Sequence, residues 1–312
     1  MPFNRKPQKF NASIKEVTIG CGEKAVTLGG ENVYPFYSFD REITNAPKVA
    51  VEISDMGVPE VAGLKAYYEG CSTMAEIAKR ASEMEGADFV CLRLEGGDPN
   101  GANKSTEELI GELKEIADAV DLPLVVCGCK NVEKDAELFS KAAEALNGKN
   151  AVILSAKEEN YKTVGAAAGL AYKQVVGAES AVDINLAKQL NVLISQLGVD
   201  SKSVVMNVGT AAVGYGFEYV ISTMDRVKAA ALQQGDANLQ MPIITPVASE
   251  AWGVKEAMAS ETDAPEWGSQ EERGIDMEVE TAMAVIAAGS NAVILKHPES
   301  IKIISGLMKE LV

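Results

Sequence analysis

From about residue 49 onward the chain repeats one local pattern: a short apolar segment, a loop and an amphipathic helical segment. The stretch 203–220, SVVMNVGTAAVGYGFEYV, is one example, with an apolar run at Val204–Met206 and helical periodicity after Gly216. The pentapeptide NAVIL occurs at Asn150–Leu154 and again at Asn291–Leu295, each time after a helical segment closed by glycine. The pattern predicts strands that alternate with helices.

Eight apolar segments have the length and composition of buried strands. They are Val49–Ile53, Ala87–Leu94, Pro123–Val126, Asn150–Leu154, Gln174–Gly177, Val204–Met206, Ile243–Thr245 and Asn291–Leu295. Near-continuous apolar strands that alternate with amphipathic helices require a parallel sheet covered by helices. Eight such units favour an α/β fold, a TIM (β/α)8 barrel over residues 48–312, with an open doubly wound sheet as the alternative.

The first 47 residues precede the predicted barrel. Segments 14–19 and 24–28 flank Gly20–Gly22 and predict a small β-hairpin, and the aromatic run Tyr34–Phe39 follows it. We interpret residues 1–47 as an N-terminal hairpin and cover segment, a plug or lid for the barrel.

Composition excludes several classes of partner. The net charge of -16 argues against nucleic acid and against an anionic membrane surface. The first ten residues lack the apolar core of a signal peptide, and the longest uncharged run, Ser203–Phe217, is too short and glycine-rich to span a bilayer. We therefore expect a cytoplasmic protein. Its five scattered cysteines predict reduced thiols without a disulfide framework.

In a TIM barrel, functional side chains lie where strands end and helices begin. This rule collects polar and glycine residues at one rim: Asp55, Arg93, Glu95, Asp98, Cys127, Cys129, Ser155, Asn207, the loop Gly209–Gly216, Thr245, Glu250 and His297. A long acidic excursion, Ala248–Arg273, interrupts the rim and is interpreted as a lid or an interface loop, with a plain solvated loop as the alternative.

The rim lacks the patterns of a metal or phosphate site. His297 is the only histidine, and Cys127 and Cys129 have no further cysteines at ligand spacing. The loop glycines match neither the phosphate-binding loop nor the dinucleotide fingerprint. We therefore assign no metal ligand and no catalytic residue, and we expect the cysteines to be structural or merely exposed.

One group of rim residues suggests a polar ligand. Asp55, Glu95, Asp98 and Asn207 supply carboxylates and an amide that can hydrogen-bond the donor-rich edge of a pterin or the amide side chains of a large cofactor. Helix capping is the alternative role for Asp98.

Six sequence words, taken together and in order, resemble one protein family. They are DPNGANKS (98–105), DINLAKQLNVLI (183–194), GYGFEYVISTMDRVKAAALQ (214–233), ASEAWGVKEA (248–257), APEWGSQEERGI (264–275) and KHPES (296–300). The chain resembles the small subunit of the corrinoid iron-sulfur protein of the anaerobic acetyl-CoA (Wood-Ljungdahl) pathway. That family is related to the delta subunit of the archaeal acetyl-CoA decarbonylase/synthase complex.

The resemblance implies a TIM barrel that forms a heterodimer with a large subunit carrying an iron-sulfur cluster and a B12-binding domain. It implies that a corrinoid (cobalamin) lies between barrel rim and partner. The corrinoid would carry a methyl group from methyltetrahydrofolate methyltransferase to acetyl-CoA synthase in carbon fixation. The sequence around His297 does not match the D-x-H-x-x-G motif of B12 modules, so we expect no cobalt ligand in this chain.

Position on the rim nominates the candidate cofactor contacts: Asn207, Gly209, Thr210, Gly214, Tyr215, Gly216, Thr245 and His297. Two hypotheses remain open. In the first, the chain is a partner-dependent subunit of a methyl carrier without complete catalytic machinery. In the second, it is an autonomous barrel methyltransferase that binds a methylated pterin through Asp55, Asp98 and Asn207. Titration with methyltetrahydrofolate separates them, because the isolated carrier subunit is not expected to bind it.

Overall fold

The computed structural model describes residues 6–8 and 10–312, so residues 1–5 and 9 of the predicted N-terminal segment lie outside the described residues. Ten strands occur in the described chain: β1 Val17–Ile19, β2 Val26–Leu28, β3 Lys48–Ser54, β4 Phe89–Arg93, β5 Leu124–Cys127, β6 Val152–Ala156, β7 Val175–Glu179, β8 Val204–Asn207, β9 Ile244–Pro246 and β10 Ala292–Leu295. Each of the eight predicted barrel strands overlaps one of β3–β10.

Strands β3 to β10 form one parallel sheet that closes on itself. The order is β8-β7-β6-β5-β4-β3-β10-β9. A parallel bridge between Met206 and Ile243 joins β8 to the start of β9, and the backbone N–H of Met206 donates to the carbonyl of Pro242 at 2.8 Å. The TIM barrel is confirmed, and the open doubly wound sheet is wrong.

Eleven helices are present among the described residues: α1 Ala62–Tyr67, α2 Met74–Ser82, α3 Thr106–Ala119, α4 Val132–Ala145, α5 Tyr161–Val164, α6 Ile184–Gln196, α7 Phe217–Leu232, α8 Ala248–Ala251, α9 Lys255–Met258, α10 Gln270–Ala288 and α11 Pro298–Leu311. A π-helical segment, Gly165–Ala171, continues α5. Ser105 and Glu108 form a capping box at α3: Ser105 accepts from the N–H of Glu108 at 3.2 Å, which fixes where that helix begins. None of these helices combines the length and apolar composition needed to cross a bilayer.

Strands β1 and β2 form an antiparallel hairpin that plugs the amino-terminal end of the barrel, here called the base. Its apolar side chains Val17, Ile19, Val26 and Leu28 pack with the inward-facing residues of the barrel strands. The N–H of Gly20 donates to the carbonyl of Asn150 at 2.8 Å, just ahead of β6. The predicted hairpin is confirmed.

Both copies of NAVIL anchor the N-terminal segment at the base. Asn150 donates from Nδ2 to the carbonyls of Thr18 (2.8 Å) and Gly20 (3.2 Å), which holds the hairpin. Asn291 donates to Glu31 Oε1 at 2.8 Å, which holds the segment after the hairpin. Each copy therefore supplies a strand for the barrel and an asparagine that anchors the N-terminal segment.

A buried ion pair also closes the base of the barrel. Lys228, only 2% exposed, donates to Glu31 Oε1 at 2.8 Å and to Asn291 Oδ1 at 3.0 Å. Burial alone would raise the pKa of Glu31, but the charge of Lys228 and the hydrogen bonds outweigh it, so the pKa lies below its usual value. The base is closed both by apolar packing and by a buried, hydrogen-bonded ion pair.

Candidate functional site

The carboxyl ends of strands β4 to β9 surround an open cavity of about 300 Å³, here called the mouth cavity. Consecutive strands each contribute a residue at or near their carboxyl end to its wall: Arg93, Cys127, Ser155, Glu179, Asn207 and Pro246. The parallel barrel makes this convergence possible, because all its strands end on the same side. The cavity lies on the predicted functional rim.

A second cleft of about 370 Å³ adjoins the mouth cavity. Arg93, Gly128 and Lys130 line both, so they form the wall between the two. Met56 and Asp98 line only the second cleft. The two hollows are therefore neighbours at the barrel mouth.

The buried charge beside the mouth cavity is a three-residue ion-pair network. Arg93 donates to Glu52 Oε2 from Nε at 3.0 Å and from Nη2 at 2.6 Å, and Lys296 lies 3.5 Å from the other oxygen. Burial of Glu52 would raise its pKa, but Arg93 and Lys296 outweigh that effect and hold the pKa below its usual value. Glu52 is therefore the neutralising partner of both cations.

The remaining cations that line the cavity are paired as well. Lys157 lies 3.2 Å from Glu179, and Lys130 lies 3.5 Å from Glu250. A free anion would have to compete with a carboxylate for each cation of the wall. The cavity is thus polar and charge-balanced, which fits a neutral hydrogen-bonding ligand better than a phosphate.

Asn207 organises the middle of the cavity. Its Nδ2 donates to Ser155 Oγ at 3.1 Å and to Glu179 Oε2 at 3.5 Å, and its Oδ1 accepts from the N–H of Gly209 at 3.1 Å. Gly209 has a φ of 87°, which glycine adopts without steric cost, and the turn carries the loop away from β8. The amide is oriented by three neighbours.

The predicted cofactor contacts divide into three groups. Asn207, Gly209 and Thr210 line the mouth cavity. Gly214, Tyr215 and Gly216 lie outside it, on shallow surfaces beside α7.

The third group, Thr245 and His297, is buried away from the cavity. Thr245 is 1% exposed and shares a hydrogen bond of 2.8 Å with Ser290 Oγ. Neither residue lines the mouth cavity.

His297 caps α11. Its Nδ1 accepts from the N–H of Glu299 at 3.2 Å, its Nε2 lies 3.0 Å from Glu271, and its ring stacks on Trp252. Burial lowers the pKa of His297, with Glu271 and Glu299 opposing that shift. These contacts describe a helix-capping histidine.

The three residues nominated for pterin binding do not converge. Asp55 Oδ1 accepts from the N–H of Gly96 at 2.9 Å, and its Oδ2 lies 3.1 Å from Lys104. Asp98 lines the second cleft and accepts from the N–H of Asn100, whereas Asn207 lines the mouth cavity. Asp55 therefore serves the local fold, and the other two residues face different hollows.

Sequence reasoning missed a pair of thiols in the barrel interior. Cys91 Sγ lies 3.4 Å from Cys127 Sγ, and Cys127 lines the mouth cavity. Cys129 turns the other way, donating to Asp135 Oδ1 at 3.2 Å, and burial raises its pKa to about 11. The described residues contain no group of three or more His, Cys, Asp or Glu side chains arranged to bind a metal ion.

Several exposed large apolar side chains lie in segments that follow the carboxyl ends of barrel strands. Half of the ten in the described chain follow the carboxyl ends of β3, β8 and β9, and we call them the rim residues: Met56, Tyr215, Tyr219, Met258 and Trp267. Tyr219 is 67% exposed and Met56 is 55% exposed. Aromatic and methionine side chains are enriched at protein interfaces. The rim thus has the composition of a contact surface around a polar centre.

The long excursion after β9 is folded and not a plain solvated loop. Arg273 binds three of its carbonyls: Nε donates to Glu256, Nη1 to Gly268 and Nη2 to Ala259. The hydroxyl of Tyr215 donates to the Glu256 carboxylate, which ties the excursion to the loop after β8. The two segments that carry four of the rim residues are therefore held together.

Comparison with known proteins gives a consistent family match. The sequence model of the family described as CO dehydrogenase/acetyl-CoA synthase delta subunit matches residues 16–308. The chain is 31% identical over 322 residues to the acetyl-CoA decarbonylase/synthase complex subunit delta of Archaeoglobus fulgidus, covering 99% of this chain and 71% of that protein. It is 31% identical over 309 residues to the same subunit of Methanothermobacter thermautotrophicus, covering 97% of this chain and 77% of the relative.

Solved structures resemble the chain in fold. A dihydropteroate synthase from Xanthomonas albilineans with 4-aminobenzoic acid superposes with a TM-score of 0.56 at 13% identity, covering 95% of this chain and 98% of that one. A dihydropteroate synthase from Coxiella burnetii in complex with pteroic acid gives 0.56 at 12% identity, covering 86% and 94%. Identities this low establish a shared barrel and nothing about ligands.

Proposed function

Because the chain belongs to the family of CO dehydrogenase/acetyl-CoA synthase delta subunits, we propose that it is the barrel subunit of a corrinoid iron-sulfur methyl carrier. It works in the acetyl-CoA pathway as one half of a binding site. The other half belongs to a large subunit that holds the corrinoid and the iron-sulfur cluster. This chain has no complete catalytic machinery of its own.

The observation that carries the proposal is the composition of the mouth: a charge-balanced polar cavity surrounded by five exposed methionine and aromatic side chains. A catalytic pocket for a small anion would present unpaired cations. A docking face gains its affinity from large side chains that lose water on contact, and Tyr219 and Trp267 are of the types that dominate such contacts. The rim therefore suits a broad, partly apolar occupant.

The residues at the mouth fit a corrinoid better than they fit a metal cluster. A corrinoid is broad and carries peripheral amides, which match the apolar rim and the neutral polar cavity around Ser155, Asn207 and Thr210. A four-thiolate cluster needs ligands that the described residues do not assemble, so the cluster is assigned to the partner. When bound, the corrinoid would supply the cobalt that carries the methyl group.

The same proposal specifies the partner proteins and the cellular location. The chain forms a heterodimer with the large subunit, and the open mouth faces the cofactor domain of that subunit. Methyltetrahydrofolate methyltransferase delivers the methyl group and acetyl-CoA synthase accepts it, so the rim must let both reach the shared site. We propose a cytoplasmic location for this assembly in an anaerobic cell.

The proposal is tested by anaerobic purification of the chain with and without the large subunit, followed by visible spectroscopy. We expect a corrinoid spectrum only in the presence of the partner, and co-elution of the two chains. A corrinoid-free, stable complex would contradict the shared site.

Titration of the isolated chain with methyltetrahydrofolate tests the alternative. We expect no binding, since Asp55, Asp98 and Asn207 do not face one hollow. Saturable binding, lost in Asn207→Ala and retained in the matched surface variant Asn147→Ala, would replace the proposal with an autonomous pterin-binding methyltransferase.

A further inference from the structure

The floor of the mouth cavity holds two thiols that the proposed function does not use. Cys91 lies in β4 and is fully buried, and Cys127 ends β5 and is 3% exposed. Their sulfur atoms are 3.4 Å apart, which is a direct contact. Cys127 alone of the two lines the cavity, so a small molecule that enters the mouth reaches it first.

The register of the sheet fixes how the pair is arranged. Cys91 pairs with Val125 and Arg93 pairs with Cys127 across the parallel strands. The two cysteines are therefore offset by two residues, which places both side chains on the interior face of the barrel. The contact bridges neighbouring strands diagonally and not straight across.

The two thiols differ in acidity. The hydrogen bond with Cys91 lowers the pKa of Cys127, and the positive charge of Arg93 adds to this effect against the opposing cost of burial. Burial and the contact with Cys127 raise the pKa of Cys91. The accessible member is thus favoured as the attacking thiol.

We propose that Cys91 and Cys127 form an oxidisable dithiol that closes to a disulfide when a peroxide enters the mouth cavity. The inference does not rest on the proposed cofactor role, because it requires only the cavity, the paired sulfurs and a two-electron oxidant.

The chemistry balances in two steps. The Cys127 thiolate attacks a peroxide oxygen, so that a sulfur–oxygen bond forms, the oxygen–oxygen bond breaks and hydroxide leaves as water after taking a proton. The Cys91 sulfur then attacks the sulfenic sulfur of Cys127, so that the sulfur–sulfur bond forms and a second water leaves with the Cys91 proton. Two thiols are oxidised by two electrons, and one hydrogen peroxide is reduced to two waters.

The test uses the full chain, fully reduced and then treated with one equivalent of hydrogen peroxide. Free thiols are alkylated, the protein is digested with trypsin without reduction, and the peptide masses are measured by mass spectrometry. Trypsin places Cys91 in 81–93 and Cys127 with Cys129 in 115–130, and fragmentation of the cross-linked peptides shows which of the two cysteines is joined to Cys91. We expect a cross-link between these two peptides with loss of two hydrogens, and its disappearance with dithiothreitol.

Matched variants sharpen the result. Cys129→Ser keeps the pair and is expected to cross-link as the parent does. Cys91→Ser removes the resolving thiol, so Cys127 is expected to stay as a sulfenic acid that dimedone traps. An internal disulfide within 115–130, sulfinic acid at Cys127 without a cross-link, or unreacted Cys91 and Cys127 in the folded protein would each overturn the proposal.

Discussion

The two ends of the barrel use the same kinds of residue for opposite purposes. At the base, Lys228 is paired with Glu31 under a hairpin that excludes water, and the apolar side chains face inward. At the mouth, Lys157 and Lys130 are paired at the edge of an open cavity, and Tyr219 faces outward. The comparison shows that the covering of an end of the barrel, and not the type of residue there, decides whether that end contributes stability or remains available for binding.

A physical reason underlies this division. A buried ion pair contributes little net stability, but removing one partner leaves an uncompensated charge in a dry site. An exposed pair is screened by water, and its loss changes little. Substitutions at the base should therefore act on the free energy of unfolding, and substitutions at the mouth should act on partner binding.

The largest effect is expected for Lys228→Met at the base. It leaves Glu31 buried without its cation, which should lower the free energy of unfolding by about 3–5 kcal/mol. Urea denaturation measures this loss. Lys65→Met, which removes an exposed pair with Glu60, is the control and should change stability by less than about 1 kcal/mol. Equal losses in the two variants would contradict the description of the base as a closed site.

The next effect is expected at the mouth. Tyr219→Ala should weaken binding of the large subunit by about 30-fold, which corresponds to about 2 kcal/mol for an interface aromatic. Its free energy of unfolding should change by no more than about 0.5 kcal/mol, because the side chain is exposed. Titration calorimetry and denaturation measure the two quantities. Ile303→Ala, which changes an exposed apolar residue on α11 away from the mouth, should leave the affinity unchanged. A similar loss of affinity in this variant would show that the rim is not the docking face.

A smaller effect is expected for Asn150→Gly, which keeps the positive φ of 49° accessible and removes only the side chain. Loss of its bonds to Thr18 and Gly20 should lower the free energy of unfolding by about 1.5 kcal/mol. Hydrogen exchange in the hairpin should rise in parallel. Asn147→Gly, an exposed position nearby, is the control. Unchanged exchange in Asn150→Gly would show that apolar packing alone holds the plug.

The smallest effect is a pH dependence beside the mouth. Since burial lowers the pKa of folded His297, the unfolded chain binds that proton more readily, and stability should fall as the pH drops below the ordinary value of 6.5. Glu271 and Glu299 oppose the shift, and the raised pKa of buried Glu278 acts in the opposite direction. His297→Asn keeps a helix cap without the titration, so its denaturation midpoint should depend less on pH. An identical pH profile would contradict this role.

Local patterns predicted the fold well, whereas contacts between distant segments decided the site. The strands, helices and hairpin can be predicted from hydrophobic periodicity and from start and stop signals within short stretches of sequence. Asp55 was nominated as a ligand because nothing near it in sequence shows that Lys104 neutralises it. The Cys91–Cys127 contact depends on which strands are neighbours and in which register, information that spacing within the chain does not carry.

The repeated asparagines of NAVIL also had no local signal of their role. Asn150 bonds to residues about 130 positions earlier, and Asn291 to Glu31, 260 positions earlier. A recurring word was visible in the sequence, but its partners became visible only in the closed barrel.

That separation has a consequence for how the chain acquires its structure during synthesis. The hairpin and Glu31 are made first, yet their partners include Lys228 and Asn291, and β3 must wait for β10 to find one of its neighbours. Contacts of such long sequence range form slowly, because a long loop must close before they contribute. The hairpin segment is therefore synthesised well before the residues that hold it in place.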